Sequence, residues 1–256
     1  MSNPMKYNLI KNPNSKVTLV FLHGLGCSPN DFHFQTDYFK NKFSILLPDY
    51  TDLILSGNLK NSSLFDQCVS EINACINEHA IGDIVLVGHA VGGVIALLLT
   101  QKKLHNRIVG CVVIDTSIPF LGEKVKKLID YLHQLQGENA EEILSNFINQ
   151  RMINHQNDNL NIMFAKQKAM VDAWKQSFPY FTKIALEVTQ FDSEIVSHCA
   201  CPIMYVGGEP TGGDIAELKL LNSKIQFEKL QTGHFVMLNA PTQFNQLLND
   251  FLSVNL

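Results

Sequence analysis

Short runs of consecutive apolar residues alternate along the chain with stretches whose apolar positions recur at helical spacing. Val17–Leu22, Ser44–Leu47, Asp83–Val87, Ile108–Ile114, Pro202–Val206 and Gln226–Leu230 are the short runs. Several are stopped by Gly, Pro or Asp, the pattern of strands buried on both faces of a parallel sheet. Between them, Leu64, Cys68, Ile72 and Ile76 recur every four residues behind Ser62-Ser63 and Asp66. That spacing predicts an amphipathic helix with a start of capping-box type. Val94–Lys103 reads as a buried helix following a tight turn at Gly88–Gly93. Phe244, Leu247, Leu248 and Phe251 share one face of a terminal helix behind Ala240-Pro241. Strand and helix in alternation predict an α/β fold with a doubly wound, mostly parallel sheet.

The alternation breaks once. Residues 119–186 are helix-forming and more charged, with no strand signal. They are expected to form a helical lid inserted between two strands, in a single domain spanning 1–256 whose core is 1–118 and 187–256. An insertion beside the strand ends shapes a pocket. Its large apolar residues, such as Phe147, Met152, Met163, Phe164, Met170, Trp174 and Phe178, are expected mostly to pack the lid.

Composition narrows the partners. The 256 residues include 20 Lys plus Arg and 24 Asp plus Glu, for a net charge of −4. Only Arg107 and Arg151 are arginines, and no dense basic stripe exists, so nucleic acid is not an expected partner. A hydrophobic content of 46% excludes a disordered chain. The longest apolar stretch, Val91–Leu99, is half a membrane span and carries two glycines, so no membrane span is expected. Met1–Asn14 is polar and lacks the apolar core of a signal peptide. The six cysteines are scattered and read as reduced thiols, which together predicts a cytoplasmic protein.

In a parallel sheet, chemistry collects at the carboxyl ends of the strands. Three polar sites fall there in chain order: Gly88–Gly92, Asp115 and His234. Gly88-His89-Ala90-Val91-Gly92 has the spacing of Gly-x-Ser-x-Gly, in which the glycines permit a sharp strand-to-helix turn and the serine sits at the helix N-terminus. Here the central residue is alanine. Cys199 and Cys201, with His198 beside them, form a lone C-x-C, expected at a strand edge rather than as a metal site. Cys27 and Ser28 follow a second glycine turn, and nothing in the sequence orients either as a nucleophile.

Four segments together resemble the α/β-hydrolase superfamily, over essentially the whole chain. They are Phe21-Leu-His-Gly-Leu-Gly26, Pro48-Asp49-Tyr50, Gly88-His-Ala-Val-Gly-Gly93 and Thr232-Gly-His-Phe-Val-Met-Leu-Asn-Ala-Pro241. The last resembles the family's GHF-hydrophobic-LE-x-P segment, which carries the catalytic histidine. The resemblance implies that His234 is the general base and that Ala90 occupies the nucleophile position. The backbone N–H groups of Leu25 and Val91 would be the oxyanion donors, with His23, Gly24 and His89 beside the pocket. The acid would be Asp115, directly after Val112–Ile114, or Asp214, or Glu209; the late family position for an Asp holds Thr211 here. The implied substrate is a small carboxylic ester, thioester or lactone, and no cofactor or metal is implied.

Ala90 opens two expectations. A Ser→Ala replacement in a hydrolase keeps the turn and the backbone donors and removes the nucleophile, leaving an inactivated variant. A natural alanine fits a ligand-binding relative, or a cofactor-free enzyme using His234 as a base without an acyl-enzyme.

Overall fold

The computed structural model describes residues 5–56, 63–102, 104, 107–118, 183–209 and 213–256, with isolated positions between 119 and 182. Among these residues one sheet holds β1 (Lys6–Ile10), β2 (Val17–Leu22), β3 (Ser44–Asp49), β4 (Asp83–His89), β5 (Ile108–Ile114), β6 (Ile203–Gly207) and β7 (Gln226–Lys229). The strand order is β1-β3-β2-β4-β5-β6-β7. Every neighbouring pair is parallel except β1 with β3. The expected α/β fold with a mostly parallel sheet is therefore the observed one.

The continuous apolar runs exist because the central strands are covered on both sides. Along β2, Leu19 and Phe21 face one core with Val85, Val87, Val112, Ile114, Met204 and Val206. Val20 and Leu22 face the other, with Ile84, Leu86, Cys111, Val113 and Tyr205. Successive strand side chains point to opposite faces, so a strand between two helical layers must be apolar throughout.

On the first face lie α1 (His33–Phe39) and the terminal helix Pro241–Asn255, through Phe39, Phe244, Leu248 and Phe251. On the second lie α3 (Leu64–His79), through Cys68, Ile72 and Ile76, and α4 (Val91–Leu99). A short α2 (Thr51–Ser56) precedes α3. Later in the chain come α5 (Ile215–Leu221), α6 (Val236–Asn239) and α7, the terminal helix already given. Ser63 caps α3, its hydroxyl accepting from the Asp66 N–H at 3.1 Å.

Two local expectations are corrected. The buried helix begins at Val91, not Val94, and β4 runs on to His89. The turn is thereby compressed onto Ala90, because Gly92 and Gly93 are helical residues selected for close packing rather than for turning. Strand β1 was not legible, since an edge strand with exposed Lys6, Tyr7 and Asn8 lacks the apolar run of its neighbours. The expected lid at 119–186 falls mostly outside the described residues, as do Phe147, Met152, Met163, Phe164, Met170, Trp174 and Phe178. The described part includes a helical segment at 183–188. Its Glu187 accepts from the Ser63 hydroxyl at 3.0 Å and the Phe65 N–H at 2.9 Å, joining that segment to the start of α3.

Candidate active site

The carboxyl edge of the sheet brings three loops together. The first is the turn between β4 and α4. Ala90 has φ 51° and ψ −117°, in the left-handed region that a residue with a Cβ enters at a cost of about 1–3 kcal/mol. Its surroundings over-determine that conformation. The Ala90 N–H donates to the Ile114 carbonyl, and the Ala90 carbonyl accepts from the Gly93 N–H, both at 2.9 Å. The Thr116 hydroxyl donates to the same carbonyl at 2.9 Å.

Close backbone approach completes the turn. A Cβ on Gly88 would stand 2.2 Å from the Gly92 carbonyl oxygen, and one on Gly92 would stand 2.2 Å from that of Leu22. Neither neighbour is a flexible side chain that can swing away. Gly92→Ala is therefore expected to destabilise the fold by about 3 kcal/mol, read as a lowered urea midpoint with unchanged slope. An unchanged midpoint would mean that β2 and α4 are not held this tightly.

The second loop follows β2. Gly24 packs against Ala90, since a Cβ there would meet the Ala90 Cβ and the Cys27 Sγ, each at 3.3 Å, and His89 Nδ1 at 2.9 Å. Among the described residues, no group accepts a hydrogen bond from the Leu25 or Val91 N–H. His23 supports this loop from beneath. It is buried, stacks on Tyr50 with ring centroids 3.8 Å apart, and has Nε2 3.8 Å from an Asp49 oxygen. The Tyr50 hydroxyl donates to the His23 carbonyl, and burial pushes the phenol well above its usual range. Pro48-Asp49-Tyr50 thus props up the glycine loop.

The third loop carries His234. Its Nδ1 lies 2.7 Å from Asp115 Oδ2. Asp115 is only 2% exposed, and its other oxygen accepts from the Gly208 N–H at 3.1 Å. Asp115 also has a positive φ, 39°, and its N–H donates to the Val206 carbonyl at 2.9 Å, turning the chain sharply off β5. With Nδ1–H donated to the carboxylate, the basic nitrogen of the imidazole is Nε2.

His89 is fully buried, with Nε2 donating to the His234 carbonyl at 3.1 Å and the two rings 4.5 Å apart. Further along, buried Gln35 on α1 donates to the Met237 carbonyl at 3.1 Å and the Asn245 side-chain oxygen at 3.0 Å. Those bonds pin the helical turn that follows His234.

Of the three acids left open by the sequence, Asp115 is the one against His234. Asp214 caps α5, accepting from the Glu217 N–H at 3.2 Å, and Glu209 pairs with Lys229. Gly208, Thr116 and Gln35 carried no individual signal in the sequence. Two of them act at the site through a main-chain or hydroxyl donor, which residue type alone does not announce. Among the described residues, no cluster of three or more His, Cys, Asp or Glu is arranged to hold a metal. None of the described helices is long and apolar enough to cross a membrane.

A mostly parallel sheet in this strand order, wrapped by helices on both faces and carrying a strained strand-to-helix turn at its carboxyl edge, defines a hydrolase-type α/β scaffold. The chain belongs to the alpha/beta hydrolase family, whose sequence profile matches residues 19–247. It is 23% identical to a Mycoplasma pneumoniae protein named as a candidate esterase/lipase, across 94% of this chain and 92% of that protein. Among solved structures it is similar to MenH from S. aureus, with a TM-score of 0.74 at 16% identity, covering 97% of this chain and 98% of the other. It is also similar to a thermophilic esterase from Thermogutta terrifontis, with a TM-score of 0.75 at 16% identity, covering 98% and 94%. At those identities the shared feature is the fold.

Proposed function

We propose that this chain is a serine hydrolase of the α/β-hydrolase fold, acting on small carboxylic esters, thioesters or lactones, in which alanine replaces the nucleophile. One observation carries the reading. The turn holds Ala90 at φ 51°, while His234 and Asp115 stay paired at 2.7 Å across the same sheet edge. A strained turn and a buried carboxylate both cost stability, and neither has a structural use that a relaxed loop would not serve better.

With serine at position 90, its Oγ forms a bond to the substrate carbonyl carbon while its proton passes to His234 Nε2. Asp115 keeps the ring in the tautomer that can accept that proton. The Leu25 and Val91 N–H groups receive the negative charge on the carbonyl oxygen. The protonated His234 then gives its proton to the leaving alcohol or thiol. Water, deprotonated by His234, releases the acid and regenerates the serine. The protein works on a soluble substrate in the cytoplasm without a cofactor.

A panel of activated short-chain esters tests the reading. The Ala90 chain is expected to give only the small residual turnover that the pocket and the oxyanion donors supply, and Ala90→Ser to give turnover far above it on at least one ester. Equal turnover by both chains would overturn the covalent mechanism.

The intact His234–Asp115 pair also supports a second reading, base chemistry without an acyl-enzyme. It requires that His234→Ala abolish an activity which the Ala90 chain already has.

A further inference from the structure

Away from the carboxyl edge, two thiols sit together at the opposite end of the sheet. Cys199 and Cys201 flank Ala200 in the segment between a 3-10 turn at Ser193–Val196 and the start of β6. Their Sγ atoms are 3.4 Å apart, and the Cys199 Sγ is 3.6 Å from the Cys201 carbonyl oxygen. Both are half-buried, whereas Cys27, Cys68, Cys75 and Cys111 are buried. The pair is thus both pre-assembled and reachable, a combination that the other four cysteines lack. It is anchored as well: the Cys111 N–H on β5 donates to the Pro202 carbonyl at 3.0 Å, so the segment cannot drift from the sheet.

We propose that Cys199 and Cys201 form a reactive dithiol site at which hydrogen peroxide oxidises the pair to a disulfide. The Cys199 thiolate attacks one peroxide oxygen; the O–O bond breaks, and the released hydroxide takes a proton to become water. Cys199 is now a sulfenic acid. The Cys201 sulfur attacks the Cys199 sulfur, the S–O bond breaks, and the hydroxyl leaves with the Cys201 proton as a second water. Two electrons pass from the sulfurs to the peroxide.

Cys199 is the attacking sulfur because the Cys201 S–H, 3.4 Å away, donates to its thiolate. That outweighs partial burial and holds its pKa at about 6. The same bond and burial push Cys201 upward, which suits the resolving partner that keeps its proton until the second step. Burial lifts Cys68 to about 12 and Cys75 to about 11, and pushes Cys111 well up, so those thiols stay protonated and unreactive. His198 serves neither step. Its exposed ring donates from Nδ1 to the Glu194 carbonyl at 2.9 Å, with the Ser197 hydroxyl 3.2 Å from the same nitrogen.

The test uses the reduced, folded full chain treated with a slight excess of hydrogen peroxide, then alkylated, digested with trypsin and weighed. Cleavage after Lys183 and Lys219 isolates both thiols in one peptide with no other cysteine. That peptide is expected to lose the mass of two hydrogens and to recover it on reduction. At pH 7 Cys199 should react with iodoacetamide about two- to threefold faster than a free thiol, its larger thiolate fraction offsetting its lower nucleophilicity. In Cys201→Ser, oxidation should stop at a Cys199 sulfenic acid that dimedone traps; in Cys199→Ser, Cys201 should give no adduct. Disulfide formation elsewhere first, an unchanged 184–219 peptide, or equal trapping in the two variants would each overturn the proposal. The unsubstituted chain alone yields a decisive peptide map, whatever the fate of the variants.

Discussion

Ala90→Ser raises turnover of an activated ester by about 10⁴- to 10⁶-fold over the unsubstituted chain, the scale on which removal of a triad nucleophile suppresses acyl transfer. The size follows from what is already built. The substitution adds one oxygen to a Cβ whose backbone is held at φ 51° by bonds to Ile114, Gly93 and Thr116. Those bonds come from main chain and from Thr116, so they do not change with the side chain at position 90. The base and its carboxylate are likewise in contact before the hydroxyl arrives. The gain therefore belongs in kcat, with KM moving little, because the new oxygen contributes mainly in the transition state. Steady-state kinetics on the two chains, with matched circular dichroism, give the ratio.

Asp115→Asn, added to the Ala90→Ser variant, lowers kcat by about 10⁴-fold. The local bonding says why. Asp115 accepts from the Gly208 N–H on one oxygen and from His234 Nδ1–H on the other. An asparagine has only one acceptor atom. The fixed Gly208 amide takes the oxygen, leaving the side-chain NH₂ toward His234. Nδ1 must then accept, the ring proton moves to Nε2, and the base is protonated where it should receive. Asp214→Asn in the same background should change kcat by less than about threefold, since Asp214 acts as a helix cap. Were the large loss to follow Asp214→Asn instead, the acid would be misassigned.

The sequence displays the fold where physics acts through residue type. The runs Val17–Leu22, Asp83–Val87 and Ile108–Ile114 are apolar because both faces are buried, so the parallel sheet was visible in composition alone. Gly88 and Gly92 were visible because their close approach to main chain tolerates no Cβ. Edge strand β1 was not, because one exposed flank removes the apolar signature. The acid stayed open among Asp115, Asp214 and Glu209, because which acid meets His234 depends on where β5 and β6 end in space. The bonds from the Gly208 amide to Asp115 and from the Gln35 amide to the Met237 carbonyl were hidden, since main-chain atoms carry no residue identity.

The most direct measurement is covalent labelling by a fluorophosphonate, read by intact mass and peptide mapping on the unsubstituted chain and the Ala90→Ser variant. The account expects one adduct per molecule of the variant, located at residue 90 and lost when His234→Ala is added, with none on the unsubstituted chain. A folded Ala90→Ser variant that stays unlabelled, or an unsubstituted chain that labels and turns over esters, would contradict it.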